Sequence, residues 1–156
     1  PGMPPTVVQR YTIINDTDAH ADGAELAVHW RVSDNWELAG SIARGDTGSE
    51  AGITNPLILA DYAVPDWLWH ARSWWQLPGD FEFSTALYGT GEYDIAGLAS
   101  YLRLDAQLSW HTRPDVELTL GIQNAGDPRH SESITSGAVP HIDVRRNVYA
   151  RVQWRF

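Results

Sequence analysis

The feature that most constrains this chain is a hydrophobic period of two, sustained over segments of roughly eleven residues. Across 101–111 the residues Leu102, Leu104, Ala106, Leu108 and Trp110 are apolar. Between them stand Arg103, Asp105, Gln107, Ser109 and His111, all polar. Successive side chains of a strand project to opposite faces, so this segment has one apolar face and one wet face. The final segment, 145–156, repeats the pattern: Val148, Ala150, Val152, Trp154 and Phe156 alternate with Asn147, Tyr149, Arg151, Gln153 and Arg155. A helix would mix the two sets on every face, so both segments read as strands.

Segments 6–15, 23–32, 36–46, 66–77, 81–91 and 116–124 fit the same template, the first of them loosely, which gives about eight strands. The links between them are of two kinds. Those at 33–35, 78–80 and 113–115 are short and built from turn formers, which suits hairpins. Those at 16–22, 47–65, 92–99 and 127–144 are longer, rich in Gly, Ser, Asp and Pro, and aperiodic. Short links on one side and long loops on the other predict an all-β, antiparallel, up-and-down sheet. Strand length then discriminates among solvents. About eleven residues at ~3.4 Å each span ~37 Å, and a ~45° tilt leaves ~26 Å along the normal. That matches the ~25 Å apolar band of an outer-membrane barrel, whereas strands of soluble proteins average ~5–6 residues. The expected fold is a set of transmembrane β-barrel strands, with the short turns on the periplasmic side.

The aromatic residues supply a second argument. There are 8 Trp, 6 Tyr and 3 Phe in a chain whose mean hydropathy is only −0.32, and no run is apolar enough for a membrane helix. Trp30, Trp36, Trp75, Phe81, Trp110 and Trp154 all fall within a few residues of the short-turn end, each on the apolar face of its strand. Amphipathic rings favour the headgroup level, where the body is buried and the N–H stays wet, so these six are expected to form a periplasmic aromatic girdle. Trp67 and Trp69 are expected at the opposite interface, and Trp74, on the polar face, inside.

The remaining composition mostly excludes. With 11 Lys plus Arg against 20 Asp plus Glu the net charge is −9, which argues against a nucleic-acid partner. The absence of Cys removes disulfides, thiolate metal sites and cysteine catalysis. The 6 His are isolated, without metal-binding spacing, so neither a metal nor another cofactor is expected. The charges of the wet face, among them Glu37, Arg72, Arg103, Glu117 and Arg151, read as a lumenal network, and no spacing singles out a catalytic dyad, so an enzyme is not expected. Only the loop at 127–144 gathers candidate ligand contacts, His130, Glu132, His141 and Asp143, which could touch an iron chelate on the outer side. A merely solvated loop is the competing reading.

Three stretches carry a family resemblance. Residues 104–110 (Leu-Asp-Ala-Gln-Leu-Ser-Trp), 118–130 (Leu-Thr-Leu-Gly-Ile-Gln-Asn-Ala-Gly-Asp-Pro-Arg-His) and 146–156, ending Trp154-Arg155-Phe156, resemble the C-terminal end of a TonB-dependent outer-membrane receptor. Ala125-Gly126 departs mildly from the family's usual Leu followed by a small or charged residue. Upstream, Gly23-Ala24-Glu25-Leu26 and Val64-Pro65 resemble the family's strand openings. The resemblance implies the C-terminal part of a larger barrel of about 22 strands, embedded in outer-membrane lipid and taking up a scarce small-molecule ligand, most often a ferric siderophore. It implies energy from TonB through a plug domain that is not legible in these 156 residues. It also implies that Val148, Ala150, Val152, Trp154 and Phe156 form the signal that the barrel-assembly machinery reads by pairing with the terminal strand. Two rival readings stay open here: a small stand-alone eight-stranded outer-membrane barrel with a structural or adhesive role, and a soluble β-barrel that binds an apolar ligand inside.

Overall fold

A computed structural model describes residues 19–49, 65–92, 99–132 and 143–156. The strands are β1 (Ala19–Ser33), β2 (Trp36–Ser49), β3 (Trp67–Leu77), β4 (Phe81–Thr90), β5 (Tyr101–Arg113), β6 (Val116–Gln123), β7 (Arg129–Ser131), β8 (Asp143–Arg145) and β9 (Asn147–Trp154). Among the described residues there is no helix. Seven strands form one antiparallel sheet in the order β1-β2-β3-β4-β5-β6-β9, and β7 pairs with β8 as a separate ribbon. The up-and-down, all-β expectation therefore holds for seven of the expected strands. The eighth, at 6–15, lies outside the described residues.

The register keeps the two faces apart across the whole sheet. One row of directly opposed residues runs Trp36, Trp75, Phe83, Leu108, Leu120, Ala150. One step over, another runs Arg31, Glu37, Trp74, Ser84, Gln107, Gly121, Tyr149. A slip of one residue in any pair would carry polar groups onto the apolar side, so the alternation of each strand fixes the parity of its neighbours. The row through Trp36 meets each later hairpin further from its turn: Phe83 is two residues past the start of β4, and Leu108 is five short of the end of β5. That stagger is the shear that tilts strands when a sheet curls into a barrel.

Two of the three short hairpins are tighter than the three-residue links expected, and the third keeps its three residues, 78–80. Ser33 pairs with Trp36 and Arg113 with Val116, each after a bulge, so one residue of the expected link is absorbed into the strand. The third turn uses two consecutive left-handed residues, Gly79 at φ 83° and Asp80 at φ 62°. Gly takes that conformation without penalty and Asp is among the residues that tolerate it, and the resulting twist matches the strands it joins.

Three boundaries differ from expectation. β1 and β2 run past 23 and 46 as a ribbon that rises above β3. The added residues are mostly small or polar in sequence, which leaves no periodic signal. β7 sits inside the expected aperiodic loop at 127–144 and β8 straddles its end, taking Arg145 from the expected last strand; strands of three residues are too short to display a period. The last strand begins at Asn147 because Arg146 turns its N–H to the Pro128 carbonyl at 3.1 Å instead of to β6.

Candidate functional site

The sheet inverts the usual relation between burial and polarity. Among the described residues no hydrophobic side chain is buried, and the buried polar residues are Thr90, Ser109, Thr119, Asn124 and His130. Val148 and Val152 are each 70% exposed, while Thr119, on the other face, is 2% exposed. A soluble barrel that held an apolar ligand would place the apolar set on the sheltered side. Here that side is polar.

On the apolar face the large rings collect at the short-turn end and touch one another. Trp36 meets Trp75 edge to face at 5.7 Å between centroids, Trp75 meets Phe83 at 5.9 Å, and Phe81 stacks on Trp110 at 5.3 Å. Trp154 meets the C-terminal Phe156 at 6.3 Å. Two of the indole N–H groups are bonded on the spot, Trp36 donating to Ser73 Oγ at 2.9 Å and Trp154 to Asp115 Oδ2 at 3.0 Å. Trp30 stands diagonal to Trp36 across the first hairpin, opposite Leu38, and is exposed. All six expected girdle residues therefore share one face and one end. Val148, Ala150, Val152 and Trp154 lie along the apolar side of β9, directly opposite Ile122, Leu120, Leu118 and Val116, and Phe156 follows the strand, fully exposed. Among the described residues β9 pairs on one edge only.

On the polar face the charges are tied to one another. Glu37 accepts from Arg31 Nε at 3.1 Å and lies 3.3 Å from His29 Nε2. Arg151 donates to Glu117 at 3.1 Å, Thr119 donates to the same carboxylate at 3.1 Å, and Ser109 Oγ lies 3.1 Å from Thr119 Oγ1. The Tyr88 ring sits between two guanidinium groups, Arg72 at 5.8 Å and Arg103 at 5.6 Å. Trp74 does lie on this face, as its parity requires, yet it stays exposed and borders a cavity of about 400 Å3. Cation–carboxylate pairs of this kind suit a surface that faces water or a polar filling.

Where the long-loop end closes over β5, Asp105 organises a polar node. Its carboxylate accepts two bonds from Arg103, at 2.9 and 2.7 Å, and a third from the Asn124 backbone N–H at 2.9 Å. Asn124 is fully buried in a left-handed conformation (φ 53°), and its side-chain NH2 donates to the Val144 carbonyl at 3.2 Å. This ties β5, the end of β6 and β8 together. Of the expected loop contacts, His130 is buried, stacked on Tyr101 at 4.3 Å and 2.8 Å from the Glu132 carboxylate. Asp143 accepts from Ser131 Oγ at 2.9 Å. His141 lies outside the described residues. The structure thus brings His130 and Glu132 together by contact with each other and ties Asp143 to Ser131.

Sequence reasoning missed this node, and it missed the close packing of rings over glycines. The Tyr149 ring crosses directly over Gly121, and Trp69 crosses over Gly89, each where a Cβ would collide. A signal existed for both, since glycine at a strand interior marks close approach. Only the register reveals which ring fills the gap.

No family model matches the chain, and no curated protein matches it. A solved structure does. The ferric-catecholate import receptor Fiu from E. coli K12, in its closed form, superposes with a TM-score of 0.70 at 15% sequence identity, over 88% of this chain and 21% of that one. The likeness is one of fold. This chain spans about a fifth of that receptor's length, and the match agrees with an antiparallel receptor-type barrel sheet.

Proposed function

We propose that the chain forms part of the wall of an outer-membrane, TonB-dependent receptor that takes up a ferric siderophore. The observation that carries this reading is the inverted burial, with the apolar side chains of seven strands exposed on one face and hydrogen-bonded polar groups on the other. In water an apolar surface of that extent drives association. In a bilayer it is the stable arrangement. The ring cluster at the short-turn end then sits at the periplasmic headgroups, and the polar face lines a lumen. The fold likeness to an import receptor for a ferric catecholate, together with the terminal-segment resemblance, supports transport over catalysis. In this reading the plug and the rest of the wall come from chain beyond these residues. The terminal strand, with Val148, Ala150, Val152, Trp154 and Phe156, is the segment presented to the barrel-assembly machinery, and the loop holding His130, Glu132, His141 and Asp143 lies at the outer mouth, toward the iron chelate.

The test is depth and uptake together. The intact protein, reconstituted in vesicles of lipids brominated near the headgroup, loses tryptophan fluorescence more strongly than in vesicles brominated near the chain ends. Cells lacking it grow poorly when a ferric siderophore is the iron source. Recovery as a detergent-free soluble protein, with no quenching by either lipid, overturns the membrane reading. Unaltered growth on every ferric siderophore tried overturns the ligand.

A further inference from the structure

The outer face of β9 cannot by itself fix where that strand pairs. Val148, Ala150, Val152 and Trp154 oppose Ile122, Leu120, Leu118 and Val116, and a slip of two residues still sets apolar against apolar on the same side. The β9 residues Val148 and Val152 are largely exposed, so no packed partner penalises the wrong pairing. The inner face differs. Tyr149 stands opposite Gly121, and its ring occupies the space where a Cβ of Gly121 would be. From there it crosses β6 entirely and donates its hydroxyl hydrogen to Gln107 Oε1, on β5, at 2.9 Å. One side chain thus ties three strands, and only because residue 121 carries no side chain. A slip of two places Tyr149 opposite Thr119 or Gln123. Thr119 is already buried and bonded to Glu117 and Ser109. The ring loses both its groove and its acceptor.

We infer that Gly121 and Tyr149 form the joint that sets the register of the terminal strand, with Gln107 as the stop at its far end. The inference rests on the reading that the apolar face meets a fluid solvent rather than a packed partner. It concerns the polar face alone, which the expected assembly signal does not include.

These 156 residues contain no cysteine, so no thiol within them competes with the introduced pairs. In the intact protein, Leu120→Cys with Ala150→Cys reports the native pairing, and Leu120→Cys with Val148→Cys or Val152→Cys reports the two-residue slips. With Gly121 and Tyr149 in place, oxidation crosslinks the first pair almost exclusively. With Gly121→Val, native crosslinking falls at least tenfold and a slipped pair gains what is lost. Tyr149→Ser, which takes away the ring without adding bulk and covers the case in which the valine variant fails to accumulate, shifts crosslinking the same way, and Tyr149→Phe keeps the native pair dominant. Undiminished native crosslinking in both Gly121→Val and Tyr149→Ser overturns the joint. Membrane flotation of the same samples is scored separately: a protein that fails to float yet shows the register shift sinks the membrane reading and leaves the joint standing.

Discussion

The two faces of the sheet are made by the same strands with the same period, yet they do different work. The apolar face, outward on the proposed reading, is exposed and interchangeable there, since Leu, Val, Ile or Ala satisfies a hydrocarbon surround equally well. The polar face, inward on that reading, is exposed along β1 and most of β3 but mostly sheltered from β4 to β6, and it is particular: Arg151 reaches Glu117, Tyr149 reaches Gln107, and Arg103 grips Asp105 with two bonds. The comparison teaches that solvent preference and structural specificity are divided between opposite sides of one sheet. In a soluble protein a packed apolar core supplies both.

The sharpest way to break that division is to place one charge on each face. Leu120→Arg, on the outer side of β6, is expected to destabilise the protein in lipid by about 2–4 kcal/mol if it lies near the bilayer centre. Ser84→Arg, on the inner side of β4, is expected to shift stability little. Urea midpoints in vesicles compare them, and equal effects would erase the distinction between the faces. The next test concerns the long-loop end. Asp105→Ala removes the acceptor for Arg103 and for the Asn124 N–H, hydrogen bonds to a charged group that contribute roughly 1.5–3 kcal/mol each. Amide exchange over 124–132 and 143–146 is expected to accelerate while β3 and β4 keep their protection. Uniform exchange across the sheet would show that the node does not act locally. The smallest effect belongs to the ring cluster. Trp110→Leu keeps the apolar surface but loses the stack on Phe81, worth about 0.5–1.5 kcal/mol beyond area, and a denaturation midpoint unchanged from that of the parent would mean that these rings serve solvation alone.

Much of this was legible in the residues. Alternation places Trp110 and Leu120 on one side and Gln107 and Thr119 on the other without any structure, and the turn formers at 78–80 place the hairpin between β3 and β4. The ring cluster was legible too, because parity and distance from the nearest turn locate each tryptophan. The loop was not. Asp105 and Asn124 are 19 positions apart, with nothing in either neighbourhood to connect them, and a three-residue strand such as β7 leaves no periodic trace. His130 and Glu132 read equally well as ligand contacts or as solvated residues, and only coordinates reveal the Tyr101 ring stacked on that histidine.

The sequence by itself determined which side of each long strand is apolar, where the short hairpins lie and at which end most of the indoles gather, because a period of two maps residue number directly onto face and height. Only the tertiary structure decided which residue stands opposite which. Face repeats every second position, so parity leaves pairings two residues apart equivalent. What separates them is the fit of particular side chains across strands, such as the Tyr149 ring lying where Gly121 has no side chain.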